Sequence, residues 1–165
     1  MEWLWGAFAG GVIGLGSALI VTEYMSYRGR QRMKRDFAKS LDTEISLNRD
    51  ALQRLVDGIS DEVDKGQRIR HIHPPFVRDV YPGSAGDMGL LPSSTRDAVQ
   101  NFYAWLGDVE FVVREGYLQR TLFWPSDKLD THEQHEVLQE WMLERARGAL
   151  ERSVVALEKL ETFTA

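Results

Sequence analysis

The sequence predicts an all-α protein: an N-terminal transmembrane helix followed by a small antiparallel helical bundle of about three long helices. Three observations predict it. Residues 3–22 carry no charge, and a dense basic run follows shortly after. Beyond residue 37, apolar positions recur at steps of three and four in three separate stretches, which is the period of an amphipathic helix. No stretch alternates apolar and polar residues over the length of a strand.

Size and composition set the limits. A chain of 165 residues holds one modest core plus an appendage. With 43% hydrophobic and 27% charged residues, it has enough apolar surface to fold rather than stay disordered. It contains no cysteine, so disulfides, thiolate metal sites and cysteine nucleophiles are excluded. The net charge of −5 hides an asymmetry. Residues 28–39 hold six basic side chains against Asp36, a local +5, whereas the 14 later basic residues face 22 acidic ones, a net −8. The expected division is an anchor over 1–27, a basic segment over 28–40, and a helical body over 41–165 with a Pro/Gly-rich insertion at 66–93.

Twenty uncharged residues extend ~30 Å as a helix, about one hydrocarbon thickness. Trp3 and Trp5 lie at one end of the stretch, with Tyr24 and Tyr27 at the other, where interfacial rings are favoured. The basic run then sets the orientation, with the N-terminus outside the bacterial inner membrane and the body in the cytoplasm. A cleavable signal peptide is the rival reading, but it wants positive charge ahead of the apolar run, and here Met1 and Glu2 stand there. A dinucleotide loop fails because Leu19 occupies the third glycine position and no strand precedes it.

Gly6, Gly10, Gly14 and Ala18 recur every four residues along one side of this helix. In lipid, helices associate through close backbone approach, which small residues permit. The strip therefore points to a homo-oligomer or to pairing with a membrane protein partner. Arg28, Arg30, Arg32, Lys34 and Arg35 then face the headgroups, where they fix topology and attract anionic lipid. Nucleic acid is not expected as a partner, because the acidic body would repel phosphate.

In the body, Phe37, Leu41, Ile45, Asn48, Leu52, Leu55 and Ile59 step by three and four, close to a coiled-coil heptad, and Gly58 offers a stop or kink. Asn48 sits in this seam with Glu44 one turn earlier. Two readings stand: a polar pin that fixes the register of packed helices, which is favoured, and a polar pair pointing into a pocket. Residues 66–93 hold four prolines and several glycines, so they cannot form one helix. Phe76, Val77, Val80 and Tyr81 suggest a single helical turn begun at Pro75, and Leu90 and Leu91 a return to the core. A connection this long is a candidate partner site. A second helix starts at Ser94 with Asp97 as capping-box partner and runs through Val99, Phe102, Leu106, Val109 and Val113. A third starts near Thr131, with Gln134 completing its box, and runs through Leu138, Trp141, Met142, Ala146, Ala149, Leu150, Leu157 and Leu160.

The pattern of Glu44, Asn48, Leu91, Pro92, Phe102 and Tyr103 resembles a loose group of small, uncharacterised bacterial single-pass membrane proteins with a cytoplasmic helical domain. The resemblance implies an anchored helical domain and no known reaction.

Candidate chemistry is thin. His71 and His73 form one pair, His132 and His135 another, and together they are weak candidates for a metal site. His132-Glu133 approaches the zincin motif, but the second histidine arrives one residue early. No G-x-S-x-G elbow and no calcium-loop order is present. No cofactor is expected. The sequence therefore favours a membrane-anchored interaction or scaffold protein, self-associating and presenting its helical domain to a partner. The alternative is an anchored metal-dependent enzyme or sensor built on the histidine pairs.

Overall fold

The computed structural model describes the backbone of residues 2–64, 76–84, 86–122 and 131–164, and within it the side chains of 23, 25–61, 76–83, 86–114 and 139–164. Three α-helices account for most of it: α1 (Glu2–Asp64), α2 (Ser93–Leu122) and α3 (Thr131–Thr164). Two short 3-10 turns, Pro82–Ser84 and Asp87–Leu90, lie between α1 and α2. The chain divides into two compact units, Met1–Phe37 and Ala38–Ala165.

Among the described residues no helix is long and apolar enough to cross a membrane. That overturns the expected transmembrane helix as the first element of the fold, and the single-pass arrangement built on it is not supported. The described side chains of α1 begin at Glu23 and soon include exposed Arg28, Arg30, Arg32, Arg35 and Asp36. The side chains of Gly6, Gly10, Gly14 and Ala18 lie outside the described residues.

The helical bundle of the second unit follows the apolar stripes. From α1, Leu41, Ile45, Leu52, Leu55 and Ile59 are buried, and from α2, Val99, Phe102, Leu106, Val109 and Val112. Gly58 neither stops nor ends α1, which continues to Asp64. The adjacent Ile59 is fully buried, and that burial outweighs the ~1 kcal/mol that an interior glycine costs. α3 contributes a narrower face. Ala146, Ala149, Ser153 and Ala156 are all fully buried at steps of three, four and three, so its backbone lies close against its neighbours. Ser153, a polar residue outside the apolar pattern, can be buried because its hydroxyl is satisfied within the helix, donating to the Leu150 carbonyl at 2.6 Å.

The direction of each helix follows from paired positions. Trp105 of α2 lies against Gly148 of α3, and Asp108 pairs with Arg145 at 3.5 Å. Rising numbers in α2 meet falling numbers in α3, so these two are antiparallel. Between α1 and α2 the reverse holds. The connecting segment passes Asn48 at Val77 and Glu44 at residues 79–81, while Arg78 reaches Glu110 and Tyr81 stacks on Tyr103. Moving along that segment, positions fall in both helices, so α1 and α2 run in the same direction. Two parallel helices need a crossover between their ends. Residues 76–92 are part of that crossover rather than an insertion into an antiparallel hairpin.

The crossover is also not the helical turn that the spacing of Phe76, Val77, Val80 and Tyr81 suggested: residues 76–81 are irregular. The amides of Val77, Asp79, Val80 and Tyr81 donate to side-chain oxygens of α1, so those hydrogens are not available to a helical turn. Met88 and Leu91 return to the core, at 6% and 4% exposure. α2 begins one residue before the expected Ser94, its first turn closed by the Arg96 amide donating to the Pro92 carbonyl at 2.9 Å.

Candidate functional site: a buried carboxylate that clasps the crossover

Glu44 and Asn48 lie one turn apart on α1 and both are buried, at 2% and 0% exposure. An i, i+4 spacing places them on one helix face, and that face meets the crossover. Asn48 forms a two-point contact with one residue. Its Nδ2 donates to the Val77 carbonyl at 2.8 Å, and its Oδ1 accepts the Val77 amide at 2.7 Å. This is the pairing a neighbouring β-strand would offer, supplied here by a side chain. The pin of Asn48 therefore acts on the crossover and not between two packed helices.

Glu44 takes up three successive amides beyond Arg78. Its Oε2 accepts from Asp79 at 2.9 Å and Val80 at 2.6 Å, and its Oε1 accepts from Tyr81 at 3.4 Å. Successive backbone N–H groups converging on one point are how a chain binds an anion. The anion here is a carboxylate of the same protein. A fourth donor, the Tyr103 hydroxyl from α2, also points at Oε1. With four donors around it, a buried carboxylate has the partners that make its burial tolerable.

Aromatic and ionic contacts close the cluster. Tyr81 stacks on Tyr103 with centroids 3.9 Å apart and planes 9° from parallel, and Phe102 meets Tyr103 edge-on at 5.0 Å. Arg78 reaches Glu110 at 2.9 Å, while its Nε is buried with no hydrogen-bond partner among the described residues. The Tyr103 phenol is held far above its ordinary pKa. Burial is the main cause, followed by the hydrogen bond to Glu44 and then by the charge of Glu44, with Arg78 pulling the other way. Tyr103 therefore stays a proton donor through the whole neutral and mildly alkaline range.

This arrangement holds a loop; it does not present a reactive group. Every oxygen of Glu44 and both polar atoms of Asn48 are occupied by the chain itself. The groove on the α2–α3 side is separate. It is lined by Trp105, Glu140, Glu144, Arg147, Gly148 and Glu151, among others. There the Trp105 ring covers Gly148, with the guanidinium groups of Arg145 and Arg152 each 5.3 Å from its centroid.

The other residues singled out by the sequence are not gathered here. His71, His73, His132 and His135 lie outside the residues whose side chains are described, and among the described residues no group of metal-ligating side chains occurs. Arg28, Arg30, Arg32 and Arg35 are exposed and Lys34 is half-buried. Sequence reasoning missed Arg78, Tyr81 and Glu110 as members of the cluster. The available signal was the charged Arg78 among apolar neighbours in a proline-rich connection, since such a residue needs a partner.

No protein-family model matches the chain, and no curated protein or solved structure is detectably similar to it. No activity is therefore carried to this cluster from a relative.

Proposed function

We propose that this chain is an interaction or scaffold protein, whose helical domain is held rigid by the crossover clasp and presented to a protein partner. The observation that carries the reading is a pair of exposed aromatics on the α2–α3 side. Phe111 is 58% and Trp141 38% exposed. Counting from the Trp105–Gly148 and Asp108–Arg145 pairs, residue 111 of α2 falls level with residue 142 of α3, so the two aromatics sit at one height on adjacent helices. Large rings left in water beside a fully formed core are characteristic of surfaces that another protein covers. The polar cluster supports the same reading from the other side, because its hydrogen-bonding capacity is spent inside the fold.

The test is site-specific photo-crosslinking of the full chain in cells, with the reactive residue at position 111 or 141. A discrete protein adduct is expected from both positions and none from a control at the exposed Thr43. Adducts equal at all three positions, or at none, refute the reading.

A further inference from the structure

A second surface has nothing to do with the aromatic pair. In the first unit, Arg30, Arg32 and Arg35 are exposed side chains on a continuous helix, with Lys34 half-buried among them and Arg28 one turn earlier. Exposed apolar side chains lie between and beside these charges: Met25 at 65%, Tyr27 at 57% and Met33 at 58%. Met25, Arg28, Arg32 and Arg35 step by three, four and three, so they share one helix face. Glu23 and Asp36 are the acidic residues within residues 23–37.

A basic helix of this kind attracts polyanions, and the charge pattern of the chain separates the candidates. Beyond residue 39 the chain carries eight more acidic than basic residues, a charge balance that disfavours a nucleic-acid partner. A bilayer surface needs to touch only the basic segment itself, because screening confines the attraction to about one Debye length, roughly 8 Å at physiological salt. Thioether and phenol side chains interleaved with arginines suit the headgroup boundary, where apolar groups enter and guanidinium groups stay with phosphate.

We infer that Arg32 and Arg35, on the helix face they share with Met25 and Arg28, form a binding surface for the anionic headgroups of a lipid bilayer. This inference is independent of the partner surface at Phe111 and Trp141, and it requires no helix to cross the membrane.

Co-sedimentation of the full chain with vesicles tests it. One set is neutral phosphatidylcholine, and the other is phosphatidylcholine mixed with phosphatidylserine. The readout is the ratio of the two affinities, so apolar adsorption common to both sets cancels. Binding should favour the anionic vesicles and weaken as chloride is raised. Arg32→Gln/Arg35→Gln should reduce the preference about thirtyfold, since each basic residue near an anionic surface contributes about fivefold. Arg49→Gln/Arg54→Gln removes the same charge from the second unit and should change it less than threefold. Inorganic phosphate at matched ionic strength should compete no better than chloride; stronger competition would mean a site for free phosphate and overturn the inference. Equal affinity for both vesicle sets, an unchanged preference in Arg32→Gln/Arg35→Gln, or tighter binding to a single-stranded oligonucleotide than to anionic vesicles would each do the same.

Discussion

Replacing Glu44 by glutamine changes almost no volume, yet it should destabilise the helical domain by several kcal/mol. The carboxylate accepts from four donors, two on each oxygen. A glutamine keeps one accepting oxygen and turns an NH2 group toward the remaining two donors. Each buried donor left without an acceptor costs about 1–3 kcal/mol, a gross loss of about 2–6 kcal/mol. A neutral amide is cheaper to bury than a carboxylate, which returns part of that. A net loss of about 3 kcal/mol is expected, lowering Tm by about 10 °C for a domain of this size. Thermal unfolding of the full chain measures the total, and amide hydrogen exchange locates it. Protection should collapse first at Asp79, Val80 and Tyr81. A Tm within a degree of the parent, or unchanged exchange at those three amides, would refute the view that this carboxylate organises the crossover.

Further outcomes follow from neighbouring contacts. Asn48→Ala removes both bonds to Val77 and should cost about 2–3 kcal/mol in urea unfolding, with exchange quickening at Val77 before any core amide. Gly148→Ala puts a Cβ 2.7 Å from Cε3 and 2.9 Å from Cη2 of Trp105, so the ring must leave its seat. Loss of about 1–3 kcal/mol and a shift in tryptophan fluorescence are expected. Gly107→Ala, whose Cβ meets only Arg78 Nη2 at 3.6 Å, should instead be neutral or stabilising by up to about 1 kcal/mol. The raised Tyr103 pKa gives an alkaline signature. Above the ordinary phenol value of 10 the unfolded chain loses this proton while the folded chain keeps it. Stability present in full below pH 10 should therefore fall as pH rises beyond it, by up to about 1.4 kcal/mol per pH unit from this group. Tyr103→Phe should remove that part of the slope in denaturation measured across the alkaline range.

Much of the architecture was legible because it rests on period alone. The stripe from Leu41 to Ile59 and the run from Val99 to Val109 each put apolar residues on one helix face, and burying that face is what drives the packing; the last helix starts at Thr131 as its capping pattern indicated. Asn48 was conspicuous for the same reason, as a polar residue on an apolar stripe. Its partner was not legible. Val77 contributes backbone atoms that are common to every residue, so nothing in the sequence marks it as the acceptor and donor that Asn48 meets 29 positions away. The spacing of Phe76 through Tyr81 misled for a related reason. Local periodicity favoured a turn of helix, and Glu44 and Asn48 offered those amides stronger, fully desolvated acceptors. The uncharged residues 3–22 led to a span; their side chains lie outside the described residues, and among the described residues no helix is long and apolar enough to cross a membrane.

By itself, then, the sequence determined the helical class, the core-facing stripes of α1 and α2 and the position of one polar anomaly, since all of these follow from the order of side chains along a single helix; in α3 the expected Trp141 is exposed and the buried Ser153 and Ala156 were missed. Only the tertiary structure decided that α1 and α2 run parallel and that Glu44 is the anion for three backbone amides. It also decided that Trp105 seats on Gly148. The physical reason is that each of these depends on which distant segments meet, and a hydrogen bond or a close packing contact is specified by position in space rather than by any repeat along the chain.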